Sequence, residues 1–286
     1  MILITGASGH LGSATLNFLL KKLPPSQLGA LVRDETKATD LKANGIDIRV
    51  GEYGDTASLD RAMQGIDTVL LIAGTNEEKR LEQHQNVVNA AKKAGVQRIA
   101  YTSRALRDRN TLVNKLMVSH FQTEDYIKAS GLAYTLFQNI LYMDVIPQFV
   151  GPSVFEQGIY LPAGQGKVAF ALRSEMGEAM ANALAAGESG NKLYVLTGSE
   201  AYSFGDVAIA LTSLSGKTVN YRAAEQPAYE AGLKERGLPD VMIRRITDFT
   251  ADIASGQEEG VSHDLENLLG RKPASLQQGL TMLYNL

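Results

Sequence analysis

The sequence predicts an α/β fold built on a doubly wound parallel sheet, with a smaller, mixed and mostly helical C-terminal lobe. Two observations predict it. Through the first two-thirds of the chain, short apolar runs alternate with amphipathic stretches. The first of those runs ends in a glycine-spaced turn, "ILITGASGHLG", at residues 2–12. Strands buried on both faces must be apolar throughout, and parallel neighbours need helical crossovers of right-handed sense.

Each element follows in order. Strands are expected at 2–5, 27–32, 46–50, 68–73, 98–102 and 133–137, all short, continuous and apolar. Helices are expected at 12–23, 81–94 and 114–130. In the second of these, Val87, Val88, Ala91 and Ala94 share one face while Lys92 and Lys93 take the other. Beyond residue 150, "GPSVFEQGIYLPAGQGK" is rich in Gly and Pro and reads as loop with short strands. Further β–α units around 192–196 and 218–221 lead into a helical tail. The expected division is a Rossmann-type dinucleotide domain over 1–150, with later segments returning to it, and a substrate-side lobe over 151–286.

Composition narrows the function. Of 286 residues, 44% are hydrophobic and 21% charged, which supports a large core in an ordinary globular chain. No apolar run approaches the roughly 20 residues that span a bilayer. Gly6 and Gly9 interrupt the apolar N-terminus, against a signal peptide, so a cytoplasmic protein with no membrane association is expected. The absence of cysteine excludes disulfides, thiolate zinc sites and cysteine nucleophiles. Four scattered histidines make no credible metal site. A formal charge of −3 gives no overall basic field, so no nucleic-acid partner is expected.

Gly6, Gly9 and Gly12 are spaced G-x-x-G-x-x-G between a strand and a helix. A pyrophosphate at a helix N-terminus needs backbone N–H groups and no obstructing side chains. The candidate cradle is therefore Gly6, Ala7, Ser8, Gly9, His10, Leu11 and Gly12, with His10 acting through its backbone rather than its ring. The alternative is a tight turn without a ligand. The second strand ends in "LVRD". An acidic residue here suits the ribose of NAD, whereas the guanidinium of Arg33 suits the extra phosphate of NADP; otherwise Arg33 is a solvated strand end. Tyr142 follows the sixth strand, where the carboxyl edge of the sheet faces a nicotinamide.

A Tyr-x-x-x-Lys pair, the usual proton donor and its lysine, is missing: no tyrosine has lysine four residues later. Tyr126 is followed by Lys128, two positions on and on another helix face. The corresponding helix reads "SHFQTEDYIKASG", with His120 and Glu124 at i, i+4. His120 is a candidate proton donor or substrate-orienting group, and Glu124 would favour its imidazolium. The alternative is a surface hydrogen bond between two polar neighbours. His84 reads as packing or capping within its own helix, and His263 sits in no pattern.

Together "TGASGHLG", "LVRD", "GEYGD", "VVNAAKKAGVQRIAYTS", "YTLFQNILY" and "AGQGKVAFALRSEMGEAMA" resemble the NmrA-like branch of atypical short-chain dehydrogenase/reductases. Within it they are nearest to bacterial NADPH:quinone oxidoreductases and triphenylmethane dye reductases. The resemblance implies that Gly6 to Leu11 cradle the pyrophosphate and Arg33 meets the adenosine 2′-phosphate. It implies that Ala73 and Gly74 line the cofactor, where relatives often have serine. Asn139, Ile140 and Tyr142 would lie along the nicotinamide, and Arg173 would close the pocket. His120 and Glu124 stand where these reductases tend to have histidine and glutamate. There are departures: Gln138 stands where arginine is common, Glu175 replaces an aspartate in "LRSE", and "RALRDRNT" holds several arginines to which the resemblance assigns no place.

The expected function is an NADPH-dependent oxidoreductase acting on quinones or similar flat, conjugated acceptors, with NADPH preferred over NADH. The partner is then a quinone or dye-like small molecule, and homodimer formation is left open. The rival expectation is a redox sensor that binds NAD(P) without turnover and regulates a protein partner.

Overall fold

The computed structural model describes residues 1–187 and 189–286. In chain order its strands are β1 (Ile2–Ile4), β2 (Leu28–Val32), β3 (Asp47–Val50), β4 (Thr68–Leu71), β5 (Arg98–Arg104), β6 (Ala133–Asn139), β7 (Ile159–Leu161), β8 (Lys167–Val168), β9 (Lys192–Leu196), β10 (Tyr202–Ser203) and β11 (Tyr221–Ala223). The helices are α1 (His10–Leu19), α2 (Thr39–Ala43), α3 (Thr56–Ala62), α4 (Arg80–Lys93), α5 (Val118–Ala129), α6 (Ile146–Val150), α7 (Val154–Gln157), α8 (Arg173–Ala186), α9 (Phe204–Ser215), α10 (Gln226–Glu235), α11 (Asp240–Ala254), α12 (Asp264–Leu269) and α13 (Leu276–Tyr284).

Seven strands form one parallel sheet in the order β3-β2-β1-β4-β5-β6-β9. The order reverses between β1 and β4, so connections leave these neighbours in opposite directions and open a crevice at their carboxyl ends. The expected doubly wound sheet is present. The run at 192–196 becomes its seventh strand, beside β6. The segment expected at 218–221 overlaps only at Tyr221 with β11, which runs to Ala223 as a three-residue partner of β7 outside the main sheet.

Alternating side chains divide the core. Leu3, Leu31, Val69, Leu71, Ile99, Tyr101 and Leu136 face one side, packed with Leu59, Val87, Val88, Ala91 and Ile127 from α3, α4 and α5. Ile4, Ala30, Leu70, Ala100 and Phe137 face the other, with Leu16 of α1, Met176 and Met180 of α8, and the C-terminal lobe. Helices α1 and α8 approach so closely that a Cβ on Gly177 would stand 2.8 Å from the Ala14 Cβ.

Several boundaries differ from the sequence expectation. β5 and β6 run on to Arg104 and Asn139, because polar residues 102–104 pair in register with 137–139 although no apolar pattern marks them. β4 stops at Leu71. The expected 114–130 helix opens with a 3₁₀ turn, Lys115–Met117, in which the Leu116 N–H donates to the Asn114 side chain. Among the described residues no helix is long and apolar enough to cross a membrane, and no His/Cys/Asp/Glu group could hold a metal ion.

Candidate active site

The glycine turn lies at the carboxyl end of β1. Thr5 still donates its N–H to Leu70 O at 3.0 Å, and Gly6 then takes φ +58°, a conformation L side chains rarely adopt. Gly9 is the N-cap of α1, and neither a side-chain cap nor an acidic residue occupies the first turn. The N–H groups of His10, Leu11 and Gly12 therefore lack acceptors within the helix, which is the arrangement an anion requires. A Cβ on Gly12 would lie 2.4 Å from Gly6 O, so this glycine is demanded by the fold itself. One on Gly9 would meet only Gly6 O, at 3.2 Å. Gly6, Ser8, Gly9 and His10 are exposed, whereas Ala7 and Leu11 bury their side chains and offer only backbone. The turn thus fits a pyrophosphate by vacancy and by free donors.

Arg33 stands exposed at the end of β2 and makes no ion pair among the described residues. Its neighbour Asp34 is committed elsewhere. The Asp34 carboxylate accepts from the Thr36 hydroxyl at 2.6 Å and the Thr36 N–H at 3.0 Å, contacts that hold its pKa down. Between β1 and β4 the hydroxyl of Tyr53 is bonded to that of Thr5 and donates to Ile72 O at 2.8 Å. Burial raises this phenol, with Thr5 and Arg33 acting in the opposite direction.

Beyond β4, Ala73 donates its N–H to Thr102 Oγ1 at 2.9 Å and Gly74 donates its own to His84 Nε2 at 2.9 Å. His84 is fully buried, and its Nδ1 lies 2.9 Å from Thr123 Oγ1 on α5. It therefore does not cap its own helix as expected but bridges a loop and a second helix. Burial, and secondarily Arg80, lowers its pKa to about 3.

His120 is buried, with Nδ1 3.0 Å from the Tyr101 hydroxyl. Burial first, then the charges of Arg80 and Arg104, holds it well below the usual histidine range. The expected imidazolium paired with Glu124 is overturned. Glu124 instead accepts from Gln138 Nε2 at 2.9 Å and from Lys128 Nζ at 3.2 Å. Burial also raises the Tyr101 phenol, which stays protonated, and its hydroxyl shares one hydrogen bond with His120 Nδ1. Where Tyr101 is the donor, the neutral ring carries its hydrogen on Nε2, which has no partner among the described residues.

At the end of β6, Asn139 Nδ2 donates to the Tyr142 hydroxyl at 3.3 Å, and the Arg173 guanidinium lies 4.6 Å from the Tyr142 ring centroid. Asp144 fixes Arg173 through its backbone N–H, at 2.8 Å, and its guanidinium, at 3.6 Å. The structure thus brings Asn139, Tyr142 and Arg173 together. Ile140 is not part of that surface: its side chain is core and its N–H donates to Leu196 O at 3.0 Å. Ser103 Oγ and Asn139 Oδ1 are buried without partners at the ends of β5 and β6, polar capacity a protein rarely leaves unused.

The arginines of "RALRDRNT" tie down the loop after β5. Arg104 pairs with the fully buried Glu258, Arg107 bonds Glu259 at 2.9 Å, and Arg109 grips Asp125 at 2.8 and 3.2 Å. Glu175 likewise anchors the tail, accepting from Arg271 at 2.7 Å and from the Ala274 N–H at 3.0 Å. Sequence reasoning missed Tyr53, Arg80, Tyr101 and Thr123. One signal was available: Arg80 and His84 stand i, i+4 on the very face of α4 that carries Val87, Val88 and Ala91 into the core.

A glycine turn at the switch point of a 3-2-1-4-5-6 sheet, with polar groups gathered at the carboxyl ends of β4, β5 and β6, defines a dinucleotide-binding α/β protein. The chain belongs to the NmrA-like family, whose model matches residues 1–281. It is 37% identical to quinone oxidoreductase 2 of Escherichia coli (strain K12), over 100% of this chain and 99% of that protein. The crystal structure of the E. coli NADPH-dependent quinone oxidoreductase QOR2 complexed with NADPH matches with a TM-score of 0.91, covering 100% of both chains. The Citrobacter sp. triphenylmethane reductase complexed with NADP(H) matches with a TM-score of 0.92 at 31% identity, covering 99% of this chain and 100% of that one.

Proposed function

We propose that the protein is an NADPH-dependent oxidoreductase acting on quinones or similar flat, conjugated acceptors, working in the cytoplasm on a freely diffusing small molecule. The observation that carries this reading is the full-length likeness to an NADPH-bound quinone oxidoreductase. The uncapped α1 N-terminus and the unpaired Arg33 support it independently.

The N–H groups of the Gly6–Gly12 turn hold the pyrophosphate, and Arg33 meets the 2′-phosphate as a charge-assisted donor. The backbone of Ala73 and Gly74 lines the cofactor after β4, and Asn139, Tyr142 and Arg173 border its nicotinamide end. NADPH, when bound, supplies the hydride. What remains for the chain is orientation: it holds two flat partners face to face and excludes water between them. His120 presents Nε2–H to the acceptor oxygen as a neutral hydrogen-bond donor, in the tautomer Tyr101 fixes, and solvent delivers the proton. A quinone suits so mild a donor because its reduced oxygen is a stabilised phenolate. The stronger acid of a Tyr-x-x-x-Lys pair is not needed.

The test is loss of NADPH absorbance with a panel of benzo- and naphthoquinones. Multiple turnover with at least one is expected. Tight nucleotide binding with no turnover across the panel would replace this reading with that of a redox-sensing regulator.

A further inference from the structure

The Gly74 peptide has both of its polar groups taken by side chains of one helix. Its N–H donates to His84 Nε2 at 2.9 Å, and its C=O accepts from Arg80 Nε at 2.9 Å. Both side chains are almost wholly buried, and both reach onward to α5. Arg80 Nη1 donates to Leu116 O at 2.8 Å and to Ser119 Oγ at 2.9 Å. His84 Nδ1 meets Thr123 Oγ1 at 2.9 Å, and that hydroxyl donates to Ser119 O at 2.8 Å.

Donor counting fixes the direction of this chain. A backbone N–H can only donate, so His84 Nε2 is an acceptor and the ring hydrogen sits on Nδ1, directed at Thr123 Oγ1. Thr123 accepts it and spends its own hydrogen on Ser119 O. Nothing in the run is left unpaired. The network joins the loop after β4 to the helix that carries His120. A Cβ on Gly74 would meet nothing closer than 3.5 Å, so the contacts that hold this residue are its two backbone hydrogen bonds rather than close packing.

We propose that Arg80 and His84 are positioning residues, a two-rung clasp that sets the Gly74 peptide for the cofactor and locks it to the acceptor-side helix α5. This rests on the cofactor reading above. An ordinary core histidine would need its volume. This one needs its Nε2 lone pair, and that distinction is testable by chemistry at nearly constant size. Glutamine can offer an amide oxygen to the Gly74 N–H, whereas leucine cannot.

The experiment compares His84→Gln with His84→Leu, using two readouts. The first is hydrogen exchange at the Gly74 amide in nucleotide-free protein; the second is the NADPH dissociation constant from fluorescence titration. His84→Leu is expected to speed Gly74 exchange at least tenfold and to weaken NADPH about tenfold, with His84→Gln within about threefold of the parent in both. Thr123→Val should leave Gly74 exchange nearly unchanged but raise the quinone KM severalfold at constant NADPH affinity. The clasp is overturned if His84→Leu binds NADPH like the parent, or if Gln and Leu lose equally at matched melting temperature. Failure of the parent protein to bind NADPH would instead remove the functional reading, while the exchange measurement would still decide the clasp.

Discussion

The glycine turn and the polar cluster at the ends of β4 to β6 solve opposite problems. The turn is made of backbone and confined to seven consecutive residues, Gly6 to Gly12, of which Gly6, Ser8, Gly9 and His10 are exposed. Its donors are left open for a ligand. The cluster is buried, made of side chains, and drawn from α4, α5, β5 and β6: both ring nitrogens of His84 are bonded, to Gly74 and Thr123, while Tyr101 meets His120 at Nδ1 alone. Open donors can receive an anion only where water has filled in beforehand. Buried ones must be paired in the protein or they cost stability. One region leaves its donors vacant, and the other holds its groups rigid.

The sharpest way to break this comparison is within the turn. A Cβ at Gly9 meets a single backbone atom, Gly6 O at 3.2 Å, which must give by a few tenths of an ångström, so Gly9→Val should fold with a small loss of stability while its side chain fills the cradle. NADPH affinity should fall at least a hundredfold, about 2.7 kcal/mol. Gly12→Ala pushes its methyl onto backbone and should lower stability by roughly 1–3 kcal/mol before any ligand is added. Calorimetric titration and thermal melts on both variants separate the two roles. A Gly9→Val protein that melts normally and binds NADPH normally would show that the vacancy is not for the nucleotide.

The cluster should betray itself in acid. His84 has a folded pKa of about 3 against an ordinary value of 6.5. Below pH 6.5 the unfolded chain takes up a proton that the folded chain refuses, so stability drops as pH falls through this window and the loss is complete near pH 3. Each unit is worth about 1.4 kcal/mol once protonation of the unfolded chain is complete, so the parent should lose roughly 2 kcal/mol between pH 6.5 and 4.5 from this group alone. Urea unfolding of the parent and His84→Gln across that range checks it, since carboxylate effects are common to both. Parallel stability curves for the two proteins would mean His84 is not held neutral.

These two regions also explain what could be read from the chain. The turn was legible because three glycines, a preceding apolar run and Arg33 lie within one β–α–β unit, and each answers to a local rule. The cluster was not. Nothing in "EQHQNVV" says that His84 reaches Gly74 and Thr123, because that depends on how α4 and α5 pack against the sheet. His120 and Glu124 were correctly placed on one helix, yet their spacing suggested a mutual contact that the structure does not make. The ring turns to Tyr101 inside, and the carboxylate turns to Gln138 and Lys128. Arg104, Arg107 and Arg109 were unreadable for the same reason: Glu258 and Glu259, which hold the first two, lie far along the chain.

Arg33 sharpens the comparison from the exposed side. Arg33→Ala should weaken NADPH by about 1.5–3 kcal/mol, the scale of a charge-assisted contact, and leave NADH nearly unchanged. Side-by-side titrations of the two nucleotides read this directly, and equal losses would remove Arg33 from the 2′-phosphate.

The smallest effect is expected at His120, the member of the buried cluster proposed to face the acceptor. A charged imidazole would be a strong acid, would lose its proton near neutrality, and would imprint a pH dependence on turnover. The ring found here is neutral, because burial and the Arg80 and Arg104 charges all oppose protonation. Its contribution is a single oriented hydrogen bond from Nε2. His120→Ala should therefore lower quinone turnover only about tenfold, below the usual general-acid contribution of about 10²–10⁴. The deficit should stay constant from pH 5 to 8, with NADPH affinity unchanged. His120→Gln, which can present an amide N–H from a similar position, should recover part of it. A deficit that grows toward high pH would restore an ionising acid and refute the neutral tautomer fixed by Tyr101. No deficit in either variant would make the Tyr101–His120 contact purely a matter of packing, leaving orientation by Tyr142 and Arg173 as the chain's whole contribution at the acceptor.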